Sequence, residues 1–213
     1  MASVKEHYDD LLASCYSWMC GGSDLILKKN RTFFQANGIR PTYSADAVDL
    51  GAGSGFQAIP LAEAGFSVTA VDASRGLLQE LNKTAGRLPI RTIQADLLNF
   101  AEHCPAKNEI IVCMGDTLTH LKSLTEVKEL LHRVHGALEK EGLLILGFRD
   151  MTAELTGLDR FIPVRSDSNR LFTCFLEYEK THVKVHDILY EKTDDHWKMK
   201  KSFFRKLRIS SQW

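Results

Sequence analysis

Residues 46–55 read Asp46-Ala47-Val48-Asp49-Leu50-Gly51-Ala52-Gly53-Ser54-Gly55, and no other stretch constrains the fold as tightly. A short apolar run ends in three glycines at alternate positions, and a helical pattern opens near Phe56. A strand running into such a turn lets the backbone approach a ligand closely, with the N–H groups of the following helix facing it. The next apolar run, Ser67–Asp72, also ends on a carboxylate. Strands are expected at 46–50, 67–72, 90–94, 109–114 and 143–148. Helices are expected at 56–64, 75–85 (capped by Ser74) and 97–103, and one after the capping box Ser123-x-x-Glu126. Such alternation gives an α/β fold, a Rossmann-like doubly wound parallel sheet. Ligands of these sheets bind outside the carboxyl ends of the strands.

Two details separate this turn from a dinucleotide-binding one. A third fingerprint glycine would be needed where Phe56 stands, and Asp49 just before the turn would repel a pyrophosphate. A carboxylate there suits a ligand with an ammonium group and no phosphate, such as S-adenosylmethionine (SAM). The segment resembles motif I of class I SAM-dependent methyltransferases, and Ala70-Val71-Asp72-Ala73-Ser74 resembles their motif II. The resemblance covers about residues 8–150. It implies that Gly51, Ala52 and Gly53 wrap the methionine portion, with Asp49 near its ammonium group. Asp72 would take the ribose hydroxyls, with Ala73 and Ser74 beside the adenine. Asp96 and Leu97 would meet the adenine edge, Asp96 being equally readable as a helix N-cap. Met114 and Gly115 would pass beneath the methionine chain. The segment Tyr8–Met19 resembles the N-terminal lid helix of small-molecule methyltransferases. An aromatic such as Tyr16 or Trp18 beside a sulfonium is a cation–π contact; core packing is an equal alternative for Trp18.

The acceptor side rests on two short segments. Cys113-Met114-Gly115-Asp116-Thr117-Leu118-Thr119-His120-Leu121 and Gly147-Phe148-Arg149-Asp150 look like segments of glycine and sarcosine N-methyltransferases. That family has Asn where this chain has Asp116 and Asp150, and a tyrosine-rich stretch that is missing here, so its amino-acid specificity is not carried over. The resemblance implies that Arg149 holds an acceptor carboxylate, and His120 and Asp116 are candidates for a base or amine anchor. Local capping of the following turn is their structural alternative. Methyl transfer from an already activated donor needs alignment more than acid–base chemistry, so no stronger catalytic signature is expected. His132 and His135 lack a carboxylate to complete a metal site, and no metal is expected.

After residue 150 the pattern changes to strands at 171–179, 182–190 and 197–209, an antiparallel meander. Trp197, Met199, Phe203, Leu207 and Ile209 share one face, expected to be the core face. Lys198, Lys200, Lys206 and Arg208 share the other, read as solvated. Arg170, Phe172, Tyr178 and His186 are candidates to wall the acceptor pocket. Residues 1–150 are expected to form the cofactor-binding core with N-terminal lid helices, and 151–213 an extension on the same domain. The family's usual closing helix and strand pair are replaced by the meander, or the chain is truncated before them.

The 213 residues, 44% hydrophobic, suit one such domain. Zero net charge, and no Asn/Asp-Pro-Pro-Tyr segment for a flipped adenine, argue against nucleic acid as partner. No apolar run suggests a signal peptide or a membrane span, and five scattered cysteines without CxxC point to a reducing cytoplasm. The function read from the sequence is methyl transfer to N or O of a small molecule. The alternatives are a methyltransferase acting on RNA or protein through the basic strand, and a non-catalytic SAM-binding module. Oligomeric state is left open.

Overall fold

In the computed structural model, residues 4–104 and 107–213 are described; the first three residues of the expected cofactor-binding core lie outside them. Five parallel strands form one sheet: β1 (Asp46–Leu50), β2 (Ser67–Asp72), β3 (Ile90–Gln94), β4 (Asn108–Cys113) and β5 (Leu138–Leu146). Their order is β3-β2-β1-β4-β5, so the chain reverses direction of travel between β1 and β4. That switch opens a crevice at the carboxyl ends of the two central strands.

Alternate residues of the central strands feed two cores. Ala47, Val68, Ala70, Ile110 and Val112 pack against helices Ser23–Ala36, Ala58–Glu63 and Arg75–Ala85. Val48, Leu50, Val71, Ile111 and Cys113 pack against the 3-10 turn Leu97–Glu102 and helix Leu124–Ala137. The local signals work as read. Ser74 Oγ accepts from the Leu77 N–H, and Ser123 Oγ from the Glu126 N–H at 3.2 Å. The reciprocal bond of the capping box shifts by one residue, from the Lys122 N–H to Glu126 at 2.7 Å.

One strand departs from expectation. β5 begins at Leu138 directly out of the preceding helix, with Glu141 at a φ of 69° and a register shift against β4. The pattern 143–148 captured only its second half, because the helical periodicity runs through Leu138.

The meander is a second, antiparallel sheet, ordered β6 (Phe161–Ser166), β7 (Arg170–Tyr178), β8 (His182–Thr193) and β9 (His196–Leu207). β6 had no clear sequence signal, since Pro163 and Arg165 interrupt its apolar alternation and a bulge follows Pro163. The N-terminal segment, whose residues 8–19 resemble a single lid helix, breaks into Val4–His7, a π-helical turn Tyr8–Leu12 and a short helix Tyr16–Met19. Its Leu11, Leu12 and Cys15 pack on Phe172 and Leu189, so it lies against the inner face of the second sheet. Among the described residues, no helix is long and apolar enough to cross a membrane. All five cysteines are free.

Candidate active site

The carboxyl ends of β1 to β4 open into one cavity of about 800 Å³. Its floor is the glycine turn. Gly51 has a φ of +75°, and a Cβ there would lie 2.2 Å from the Thr117 side chain. A Cβ on Gly55 would lie 2.7 Å from Leu81. Glycine is therefore required by space as well as by backbone conformation. Asp72 binds this turn to the next one: the Gly53 N–H donates to Oδ2 at 2.8 Å, and the Ser74 N–H to Oδ1 at 2.7 Å. Burial raises its proton affinity, and these two N–H groups pull it back.

Behind the turn, Asp49 is fully buried, and neither carboxylate oxygen has a hydrogen-bond partner among the described residues. Burial pushes its carboxyl up to about 8, which the nearby Ala58 N–H only partly opposes. A buried, unpaired carboxyl is costly. It is relieved by a ligand that brings positive charge, and it is a poor neighbour for phosphate.

Residues 47–142 match the methyltransferase domain family. Over that span the chain is similar to methyltransferase domains, and its fold is that of solved SAM-dependent methyltransferases. Glycine/sarcosine N-methyltransferase of Aphanothece halophytica is 32% identical over 105 residues, 48% of this chain and 40% of that enzyme. The putative methyltransferase YqeM of Bacillus subtilis (strain 168) is 27% identical over 146 residues, 67% of this chain and 58% of that protein. The chain thus spans about 40% of the length of the glycine/sarcosine relatives it matches. Solved structures extend the likeness to the fold of nearly the whole chain. The CcbJ methyltransferase from Streptomyces caelestis has a TM-score of 0.75 at 18% identity, over 95% of this chain and 81% of that one. A SAM-dependent methyltransferase from Clostridium acetobutylicum ATCC 824 has 0.69 at 18% identity, over 96% and 80%.

SAM is the methyl donor of the solved neighbour from Clostridium acetobutylicum, and the residues of this chain fit it. The orphaned Asp49 matches an ammonium group, and the cradle at Gly51 leaves room for a ligand backbone. Of the residues expected on the cofactor side, Tyr16, Gly51, Ala52, Gly53, Asp72, Ala73, Ser74, Asp96, Leu97, Met114 and Gly115 line the cavity. Asp49 stands behind it. Tyr16 is stacked on Phe56, with ring centroids 5.8 Å apart and planes 14° from parallel. Asp96 also caps its turn, accepting from the Leu98 N–H at 2.9 Å.

The acceptor candidates separate. His120 lines the cavity, and its Nε2 lies 3.2 Å from the Tyr8 hydroxyl. Burial, then the nearby Lys206 charge, push the imidazole down to about 3, and burial holds the Tyr8 phenol well above its usual value. The pair is uncharged at neutral pH. Asp116 and Arg149 do not line the cavity. Asp116, in left-handed backbone (φ 71°), accepts from Arg149 N at 2.7 Å, Arg149 Nε at 2.6 Å and Lys206 Nζ at 2.8 Å. Those two cations hold its carboxyl well below the usual range. Arg149 has its Nε and one terminal nitrogen engaged by Asp116.

Other expectations are corrected. Lys206, read as solvated, is 5% exposed, because it turns inward to Asp116. Trp197 and Met199, read as core, are 51% and 49% exposed; Phe204 takes the buried face instead. None of Arg170, Phe172, Tyr178 and His186 reaches the cavity; Phe203, Phe204, Arg205 and His182 do. Phe172 is covered by the N-terminal segment. Trp18 points away from the cavity, donating to Asp167 at 2.6 Å beneath the Arg170 guanidinium. The basic strand is largely neutralised in cis, with Lys200 on Glu191, Arg205 on Glu179, Lys206 on Asp116 and Arg208 on Glu154. His132 and His135 are exposed on their helix. Tyr8 and Lys206 escaped sequence reasoning as site residues because their partners lie 112 and 90 positions away.

Proposed function

We propose that this methyltransferase moves a methyl group from SAM to nitrogen or oxygen of a small molecule, releasing S-adenosylhomocysteine. The observation that carries this reading is one cavity with two unlike ends. One end has an unpaired buried carboxyl behind a glycine turn, and the other an uncharged Tyr8–His120 pair. SAM, when bound, supplies an activated sulfonium methyl group. The chain's residues then need only hold, align and exclude water. Asp49 would face the ammonium group and Asp72 the ribose hydroxyls. Tyr16 would lend its ring to the sulfonium side, and Asp96 and Leu97 would meet the adenine edge.

At the acceptor end, Tyr8 and His120 offer hydrogen bonds without charge. A neutral imidazole with low proton affinity suits orienting an acceptor N–H or O–H better than removing its proton. Asp116 has both oxygens occupied and acts as a brace. Arg149, outside the cavity lining, keeps one terminal nitrogen clear of that pairing for an anionic group of an acceptor that reaches beyond the cavity. In this reading residues 1–150 are the cofactor-binding core and 151–213 an extension of the same domain. The cis-pairing of the basic strand disfavours RNA or an acidic protein as acceptor.

Calorimetric titration with SAM and S-adenosylhomocysteine, with NAD as control, tests the cofactor. Micromolar binding of the first two alone is expected. Transfer of labelled methyl from SAM to panels of amines, amino acids and phenols tests the reaction. Tight SAM binding with no transfer to any class would favour the non-catalytic module, and binding of NAD alone would sink the assignment.

A further inference from the structure

We propose that the outer face of the antiparallel sheet is the docking surface for a second copy of this chain. Its inner face is covered by the N-terminal segment, through Phe172 and Leu189 among others. Residues paired across strands share a face. The pairing Leu171–Tyr190–Met199 therefore places one row on the other side, and Phe161–Phe175–His186–Phe203 a second row. The rings of the second row stand 4.7, 5.7 and 5.3 Å apart in sequence across all four strands. An antiparallel sheet with one solvated face normally puts polar residues there. Here Phe161, Leu171, Tyr190 and Met199 are 56%, 40%, 36% and 49% exposed on that face. Single exposed apolar residues are ordinary, but a contiguous apolar face marks a contact surface.

Size favours a second copy, and most ionic groups of the face are already closed on one another: Lys184 with Glu177 at 2.8 Å, His186 with Glu177 at 3.0 Å and Arg205 with Glu179 at 2.8 Å. The face is thus mainly apolar, with Lys201, across from Ile188, an exposed cation outside these pairs. Four strands about 4.8 Å apart and a nine-residue β7 rising about 3.3 Å per residue give a footprint of about 600 Å² before side-chain relief. A stable dimer buries about 800 Å² of accessible surface per partner. Two such faces can pack about a two-fold axis as a sheet sandwich. Phe203 and Arg205 belong to this face and also border the cavity, so the second copy would sit beside its mouth.

Sedimentation equilibrium of the full chain, from about 1 to about 100 μM, is the test. A dimer is expected for wild type and for Leu25→Glu, an exposed apolar site on helix Ser23–Ala36. Tyr190→Glu/Met199→Glu and, on the other edge, Phe161→Glu should each be monomeric with an unchanged circular dichroism spectrum. A wild type that stays monomeric throughout the range would overturn the proposal, as would a dimer that both outer-face variants leave intact. A monomer that co-sediments with neutral phosphatidylcholine vesicles would assign the face to a lipid surface instead.

Discussion

β4 is buried at all six residues, whereas β9 is exposed along its first six and buried only toward its end. The difference follows from how each sheet is covered. The parallel sheet has helices on both sides, so its central strands read as continuous apolar runs. The antiparallel sheet has the N-terminal segment on one side, and long side chains of both kinds line its strands. The two regions also build their parts of the cavity differently. The cofactor end is made by a contiguous turn and by carboxylates at strand ends. The acceptor end is made by side chains that meet from distant places: Tyr8 on His120, and Arg149 and Lys206 on Asp116. Binding of SAM and support of the acceptor end should therefore be separable by mutation.

The largest effect is expected at the cofactor end. Asp72→Ala removes the acceptor of two backbone N–H groups as well as the proposed ribose partner, and hydrogen bonds to a charged group contribute about 1.5–3 kcal/mol each. SAM affinity should fall about 100-fold in calorimetry while the protein stays folded. Unchanged affinity would contradict the ribose placement.

Lys206→Met should do the reverse. Removing one partner of a buried ion pair costs about 3–5 kcal/mol, and Arg149 remains on Asp116, so a loss of about 2–3 kcal/mol in urea unfolding is expected. SAM affinity should change less than threefold. A larger loss of SAM binding would mean that the two ends are coupled through the segment from Gly115 to His120.

With an acceptor in hand, His120→Ala should lower kcat about 30-fold, the equivalent of about 2 kcal/mol for one lost hydrogen bond in a buried site. SAM affinity should hold, and Arg149→Ala should raise the acceptor KM more than it weakens SAM. Equal losses for acceptor and SAM would move either residue to the cofactor end.

Asp49 sharpens the comparison through pH. Its folded carboxyl stands near 8, against about 3.9 in an unfolded chain. Between those values the folded protein holds a proton that unfolding releases, so its contribution to stability falls as pH rises from about 4 to 8. The ligand-free Asp49→Asn variant should gain about 4 kcal/mol on wild type between pH 5 and pH 8.5. Saturating SAM should reverse that gain. A gap independent of pH would mean that Asp49 is ionised in the ligand-free protein. The smallest effect belongs to Trp18→Ala, about 1 kcal/mol from its stack with Arg170 at 4.4 Å, with SAM binding unchanged.

The glycine turn, Asp49, Asp72, the caps Ser74, Asp96 and Ser123, and the five parallel strands were all legible along the chain. Each depends on residues within a few positions of one another, or on the burial of a whole strand. The meander was legible as strands but not as faces. Period-two alternation identifies two sides without saying which is inside, and β9 has apolar residues on both. Nothing local marks Lys206 as buried, since its partner Asp116 is 90 residues earlier. Tyr8 likewise shows its purpose only against His120. Local pattern thus specified the parallel core and its ligand-binding edge, because those signals are short-range. Tertiary packing chose the inner face of the second sheet and assembled the acceptor end, because charge compensation and burial there depend on contacts the chain makes only when folded.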